Sequence, residues 1–252
     1  MTDFLPDSLR DRTFRNQSLR GSRFIGCDFG DVVVRGSEVA GMEIESPWLL
    51  EGDSRLQVNG VNVVPLVDAE LNRRFPGRAL RDAQTPEGLS AAWAALEQTW
   101  QATLARALAM PPGTLDASVA DEWSFTQTLR HLVMATDTWL GKAILERTRP
   151  YHPAGLPNDD DSPAFDASDF STEPPPFPEV LEARADRQAM VGHYIAHVTS
   201  EDLAAPRKNP HAPDYPETVL SCLRTILEEE WEHHRYAVRD LDTLAKARPT
   251  PG

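Results

Sequence analysis

Apolar residues recur at every fifth position through the start of this chain: Phe4, Leu9, Phe14, Leu19, Phe24, Phe29, Val34, Val39, Ile44 and Leu49. With 40% of the chain hydrophobic, ten hits in one phase arise by chance about once in ten thousand trials. A period of five fits neither the 3.6 of a helix nor the 2.0 of a strand. The chain must therefore turn at regular corners, each recurring side chain entering a narrow interior. A right-angled solenoid does that. About two coils fall short of the ~3 stacked repeats that usually bury a core, so the segment is expected to lean on the residues C-terminal to it.

The segment resembles the pentapeptide-repeat family, in which four five-residue sides make one square coil. "GCDFG" and "GSRFI" carry the resemblance, whereas Arg12 and Gln17 stand where a small residue is usual. Next, "RLQVNGVNVV" alternates around Asn59-Gly60, a strong hairpin signal, and is expected to cap the solenoid. "VPLVDAELNRRF" suits a short helix stopped by Pro76-Gly77.

From residue 85 the texture is helical. Thr85, Pro86 and Glu87 form a start signal, and Trp93, Leu96, Trp100, Leu104, Ala107 and Leu108 keep one apolar stripe. A second helix opens at Ser124 with Gln127 at capping-box spacing and is expected to run to Pro150. Residues 150 to 178 are rich in Pro and Asp and too long for a neutral connector, which leaves a functional cover or a disordered loop. A third helix carries Leu181, Gln188, Val191, Ile195 and Val198 on one side, and a fourth starts near Pro216. The expected architecture is mainly α: a β-solenoid segment with a hairpin over 1–64, and a four-helix bundle over 65–252.

A net charge of −14 disfavours nucleic acid and anionic membranes as partners, because both are bound mainly through Lys and Arg. No apolar run approaches the ~20 residues of a spanning helix, and "MTDFLPDSLRDR" lacks the apolar centre of a signal peptide, so the expected location is cytoplasmic. Cys27 and Cys222 have no metal or redox spacing and read as small buried hydrophobes.

The chemistry concentrates in "LEEEWEHHRYAVRDL", residues 227–241. Taking Leu227 as the apolar direction, Leu220, Leu223, Trp231, Val238 and Leu241 fall within about 40° of it, and Glu230 and His234 within about 60°. Both are expected to face the bundle core, with Glu228, Glu229, Glu232 and His233 on a solvated face. A buried carboxylate is either neutral or compensated by a cation. Glu230 and His234, at i, i+4 spacing, suit two ligands of one ion, while hydrogen bonds to each other or to polar neighbours are the structural alternative. A third ligand must come from another helix, and His131 in the second is the candidate. His193 and His197 share the i, i+4 spacing but lie about 160° from Ile195, on the exposed face. His152 and His211 are loop residues; His152 begins the long loop and has the reach of an extra ligand or substrate contact.

"EWSFTQTLRHLV" and "CLRTILEEEWEHHRYAVRDL" together resemble the DinB-like family over roughly residues 85–245. The resemblance implies a four-helix bundle, often dimeric, holding a divalent metal, usually zinc or nickel, through three side chains. Matched residue by residue, these are His131, Glu230 and His234. Many members have histidine where Glu230 stands, which leaves the metal's identity open. Characterised relatives act on small molecules with low-molecular-weight thiols of the mycothiol or bacillithiol type, so the resemblance implies thiol S-transfer or isomerisation of an electrophile. The alternatives are metal-water hydrolysis, for which His233 is the nearest base in sequence, or a non-catalytic metal-binding or interaction protein.

Overall fold

The computed structural model describes residues 9–50, 52–157 and 164–247. Phe4, the first member of the recurrence, lies outside them, as do residues 158–163 of the long loop. The chain divides into two compact units, Met1–Glu45 and Ser46–Gly252. The boundary falls ahead of the hairpin, whereas the sequence pattern places it after residue 64.

In the first unit the five-residue period appears in the backbone. Asp11, Asn16, Gly21, Gly26, Asp31, Gly36 and Gly41 all have positive φ, a left-handed corner at every fifth residue. Gly, Asn and Asp enter that region at least cost, which is why they stand in this phase. The expected β-solenoid with a packed interior is not what these residues form. Among the described residues the unit has no strand and every residue is exposed, Phe24 at 51% and Val39 at 52%. Two coils give too few neighbours to exclude water.

The second unit is mainly helical, with two small hairpins. Strand β1 (Gln57–Val58) pairs with β2 (Val61–Asn62) across Asn59 and Gly60, both at positive φ. Helix α1 (Val64–Arg74) comes next, and at Gly77, φ 95°, a Cβ would come within 3.0 Å of the Ala95 Cβ and 3.6 Å of Trp231, a tight fit in a backbone conformation that favours glycine. Four long elements make the bundle: α2 (Pro86–Leu108), α3 (Phe125–Thr136) with its continuation Asp137–Ile144, α4 (Phe177–His197) and α6 (Val219–Lys246). Both α2 and α3 pack against α4 and α6, around a core that includes Leu89, Leu96, Leu132, Leu140, Leu223, Leu227 and Trp231. A single turn, α5 (Ser200–Leu203), and the hairpin of β3 (Pro206–Lys208) with β4 (Pro216–Thr218) connect α4 to α6.

The Thr85 cap and the Ser124–Gln127 capping box form as the sequence predicts. The second bundle helix differs in its C-terminal half, which widens into a π-helix over Asp137–Ile144 and stops at Glu146, φ 51°, before Pro150. Arg147 N–H then donates to Gly141 O, a six-residue closure of the helix end. Asp137 is fully buried there and takes hydrogen bonds from Arg187 of α4 (2.8 and 3.2 Å) and from His152 N–H (2.8 Å). Burial raises its pKa, although Arg187 draws it down. This clamp begins the long loop on α3, and Arg130 continues it by donating to Ala154 O and Gly155 O. Residues 150–157 are thus an ordered cover along α3. Among the described residues, no helix is long and apolar enough to cross a membrane.

Candidate metal centre

The cover delivers a backbone carbonyl to the first candidate ligand. His131 is 3% exposed, and its Nδ1 lies 3.2 Å from Leu156 O. A carbonyl only accepts, so Nδ1 carries the proton. The other ring nitrogen, Nε2, faces Glu229 Oε2 at 3.3 Å. An imidazole between two acceptors needs positive charge on both sides: a proton at Nδ1, and at Nε2 either a second proton or a metal cation.

His233 completes the cluster. Its Nδ1 donates to Glu229 O at 2.8 Å, which leaves Nε2 as a lone-pair donor. Burial, then repulsion from His131, lowers its pKa to about 4, so the ring is neutral. Glu229 is partly buried, which alone raises a carboxyl pKa, but His131 and His233 pull it to about 2, aided by the field of His211 from the β3–β4 loop. One ligand atom from each of His131, Glu229 and His233 lies within 4.8 Å of the others. A carboxylate beside two imidazoles, with His131 Nε2 and His233 Nδ1 each 3.3 Å from Glu229 Oε2, is a fitting donor set for a divalent ion.

Aromatic rings wall the cluster. Trp123 precedes the cap of α3 and lies 4.8 Å from the His131 ring and 6.2 Å from that of His233, while Tyr236 meets His233 edge-on at 5.7 Å. The bond from Arg239 to Glu122, 2.5 Å, ties the turn before Trp123 to α6.

Of the three expected ligands the structure brings only His131 into this cluster. Glu230 and His234 do face the bundle core, 1% and 4% exposed, but each has a different partner. Arg184 of α4 donates to Glu230 Oε2 at 2.5 Å, and Thr103 of α2 meets His234 Nε2 at 2.8 Å. Burial pushes the Glu230 carboxyl up, against the pull of Arg184, and burial lowers His234 to about 4. Their i, i+4 partners one residue earlier, Glu229 and His233, lie in the α3–α6 groove and not on the solvated face assigned to them from helix phase. The apolar direction identifies the core, whereas Glu229 and His233 lie about 160° and about 120° from it.

His193 and His197 are exposed on α4 with rings 4.4 Å apart. His152 is half-buried with Nδ1 accepting from Ala154 N–H, outside the cluster. His211 is exposed and packs its ring 5.8 Å from Trp139. Cys27 is exposed, contrary to the expected burial, because the first unit has no interior to receive it. Cys222 is buried, and burial with the nearby Glu217 pushes its thiol up to about 12.

Comparison with curated proteins and with solved structures gives no match. Residues 95–237, which hold the whole His131–Glu229–His233 cluster and make up more than half of the chain, match the family model of the DinB superfamily, and the chain belongs to that superfamily.

Proposed function

We propose that the chain is a metal-dependent enzyme that activates a low-molecular-weight thiol for S-transfer to, or isomerisation of, an electrophilic small molecule, with His131, Glu229 and His233 holding the ion. The observation that carries the reading is the His131 ring set between two acceptor oxygens, Leu156 O and Glu229 Oε2, beside a neutral His233. Zinc or nickel suits two nitrogens and one oxygen, and three protein ligands leave a position open, as at catalytic sites. When bound, a divalent ion there supplies Lewis-acid stabilisation of a thiolate, the nucleophilic form of the cosubstrate.

The residues of the chain supply the rest. Leu156 O fixes the His131 tautomer, Glu229 offsets the positive charge, and Trp123 shields one side from water. Cys222 is buried with its thiol at about 12, so within this unit the nucleophile comes from outside. Hydrolysis needs a general base, and His233, the residue best placed for that role in sequence, stands among the ligands instead.

Metal-loaded protein incubated with mycothiol or bacillithiol and monochlorobimane is expected to give thiol-dependent conjugate, reduced at least about 100-fold by His131→Ala, more than loss of a contact behind the ligands costs. Ester cleavage without thiol would favour hydrolysis, and no metal-dependent turnover of either kind would favour a binding role. Trp123 offers a spectroscopic check. Titration with Ni²⁺ is expected to quench the emission of one among six tryptophans saturably, and Trp123→Phe to remove most of the quench. Undiminished quenching in that variant places the ion elsewhere.

A further inference from the structure

The first unit leaves its apolar column in water. From Leu9 to Ile44 every fifth residue is apolar, and each is between 51% and 65% exposed. At roughly 80–100 Å² each, about half of what a buried aromatic takes from water, the column presents about 600–800 Å². That approaches the ~800 Å² each partner gives to a standard interface, and a monomer rarely leaves so much apolar surface uncovered. Phe24 and Phe29 already meet edge-on at 5.2 Å, but two coils lack the further neighbours that stacked repeats need.

The charges beside the column identify what covers it. Residues 9–27 carry five arginines, Arg10 to Arg23, against Asp11 alone, a formal charge of +4. Residues 28–45 carry five acids, Asp28 to Glu45, against Arg35 alone, a formal charge of −4. All of them are exposed. A partner must therefore be acidic over the first half, basic over the second and apolar along its length. The same segment of a second copy, turned end for end, has that order. Parallel pairing would set like charge against like across the whole contact. A two-fold axis applies the antiparallel match twice and closes the assembly at two chains. We propose that the first unit is a homodimer interface, in which residues 9–27 of one copy lie against residues 28–45 of the other and the two apolar columns cover each other. The metal reading has no part in this.

Sedimentation velocity of the full chain provides the test, using two charge-reversed variants. Arg12→Glu, Arg15→Glu, Arg20→Glu turns the first half to −2, and Glu38→Arg, Glu43→Arg, Glu45→Arg turns the second half to +2. Each variant alone sets like charges together in both contacts, so the parent is expected to sediment at twice the mass of either. An equimolar mixture of the two is expected to return to the parent's mass, because every reversed half then meets its opposite. Phe24→Ser, Phe29→Ser keeps all the charges and is expected to raise the dimer dissociation constant at least about tenfold. Equal masses for the parent and both reversed variants would mean that the first unit joins nothing. A mixture that stays at the mass of its components, or a parent mass that keeps growing with concentration, would exclude the closed antiparallel pair. Association unchanged in the double serine variant would mean that the column is not covered. Each of these results overturns the proposal.

Discussion

His233→Ala and Glu229→Ala purify with almost no bound metal, whereas His234→Phe and Glu230→Gln retain it at the level of the parent protein. This is the expected result of elemental analysis on the four variants, with His131→Ala falling in the first group. The physical ground is that removing one of three donors leaves two, while changes behind the ligands typically cost only about 10–100-fold in affinity. His234 and Glu230 lie one residue along α6 from the ligands and bond to Thr103 and Arg184, so their loss is felt in packing and not at the ion. Both groups keep the i, i+4 spacing, so the experiment reads helix phase directly. Metal lost from the 230 and 234 variants and kept by those at 229 and 233 would return the site to the core-facing set. Leu156 O, held near His131 by the Arg130 bonds to the cover, predicts an intermediate loss for Arg130→Ala.

The bundle was legible because its signals are local. Thr85, the Ser124–Gln127 box and apolar stripes of helical period need only neighbours in sequence to act. The place of His131 in the candidate cluster and the i, i+4 spacing of its two α6 members were also readable. The phase was not, and the reason lies on another helix. A buried carboxylate demanded compensation, and the ion was one answer, but Arg184 in "EARADRQAM" supplied the other from what reads as a charged, solvated stretch. The candidate ligands Glu229 and His233 face His131 between α3 and α6, half-buried, where no apolar stripe points. Trp123, next to the cap, gave no periodic signal because it precedes the helix. In the first unit the pattern of apolar residues suggested a filled interior, whereas the Gly, Asn and Asp residues in a second phase of five reported what the backbone does, a left-handed corner at each. The π-helix over Asp137–Ile144 was invisible; the buried salt bridge and returning loop that meet Asp137 at its start are contacts that sequence spacing does not encode.

The buried pair itself predicts the second large effect. Glu230→Gln keeps the shape of the side chain but leaves the Arg184 guanidinium, 4% exposed, without its anion. Breaking such a pair from one side costs about 3–5 kcal/mol, because the remaining charge stays out of water. At roughly 2–4 °C per kcal/mol for a domain of this size, the melting midpoint is expected to fall by about 6–20 °C. Arg184→Met should cost a similar amount, leaving Glu230 to be protonated or to draw water into the core. The double variant Arg184→Met, Glu230→Leu removes both charges together and is expected to recover most of the loss, since well-packed apolar residues commonly match or exceed a buried ion pair. Chemical denaturation of the four proteins gives the coupling energy as a double-mutant cycle. Additive losses, with the double variant as unstable as the sum of the singles, would mean that the two side chains are held by other contacts and not by each other. Metal content should stay constant across the cycle at temperatures where all four are folded, which separates the stabilising role of the pair from the ligand role of the adjacent Glu229.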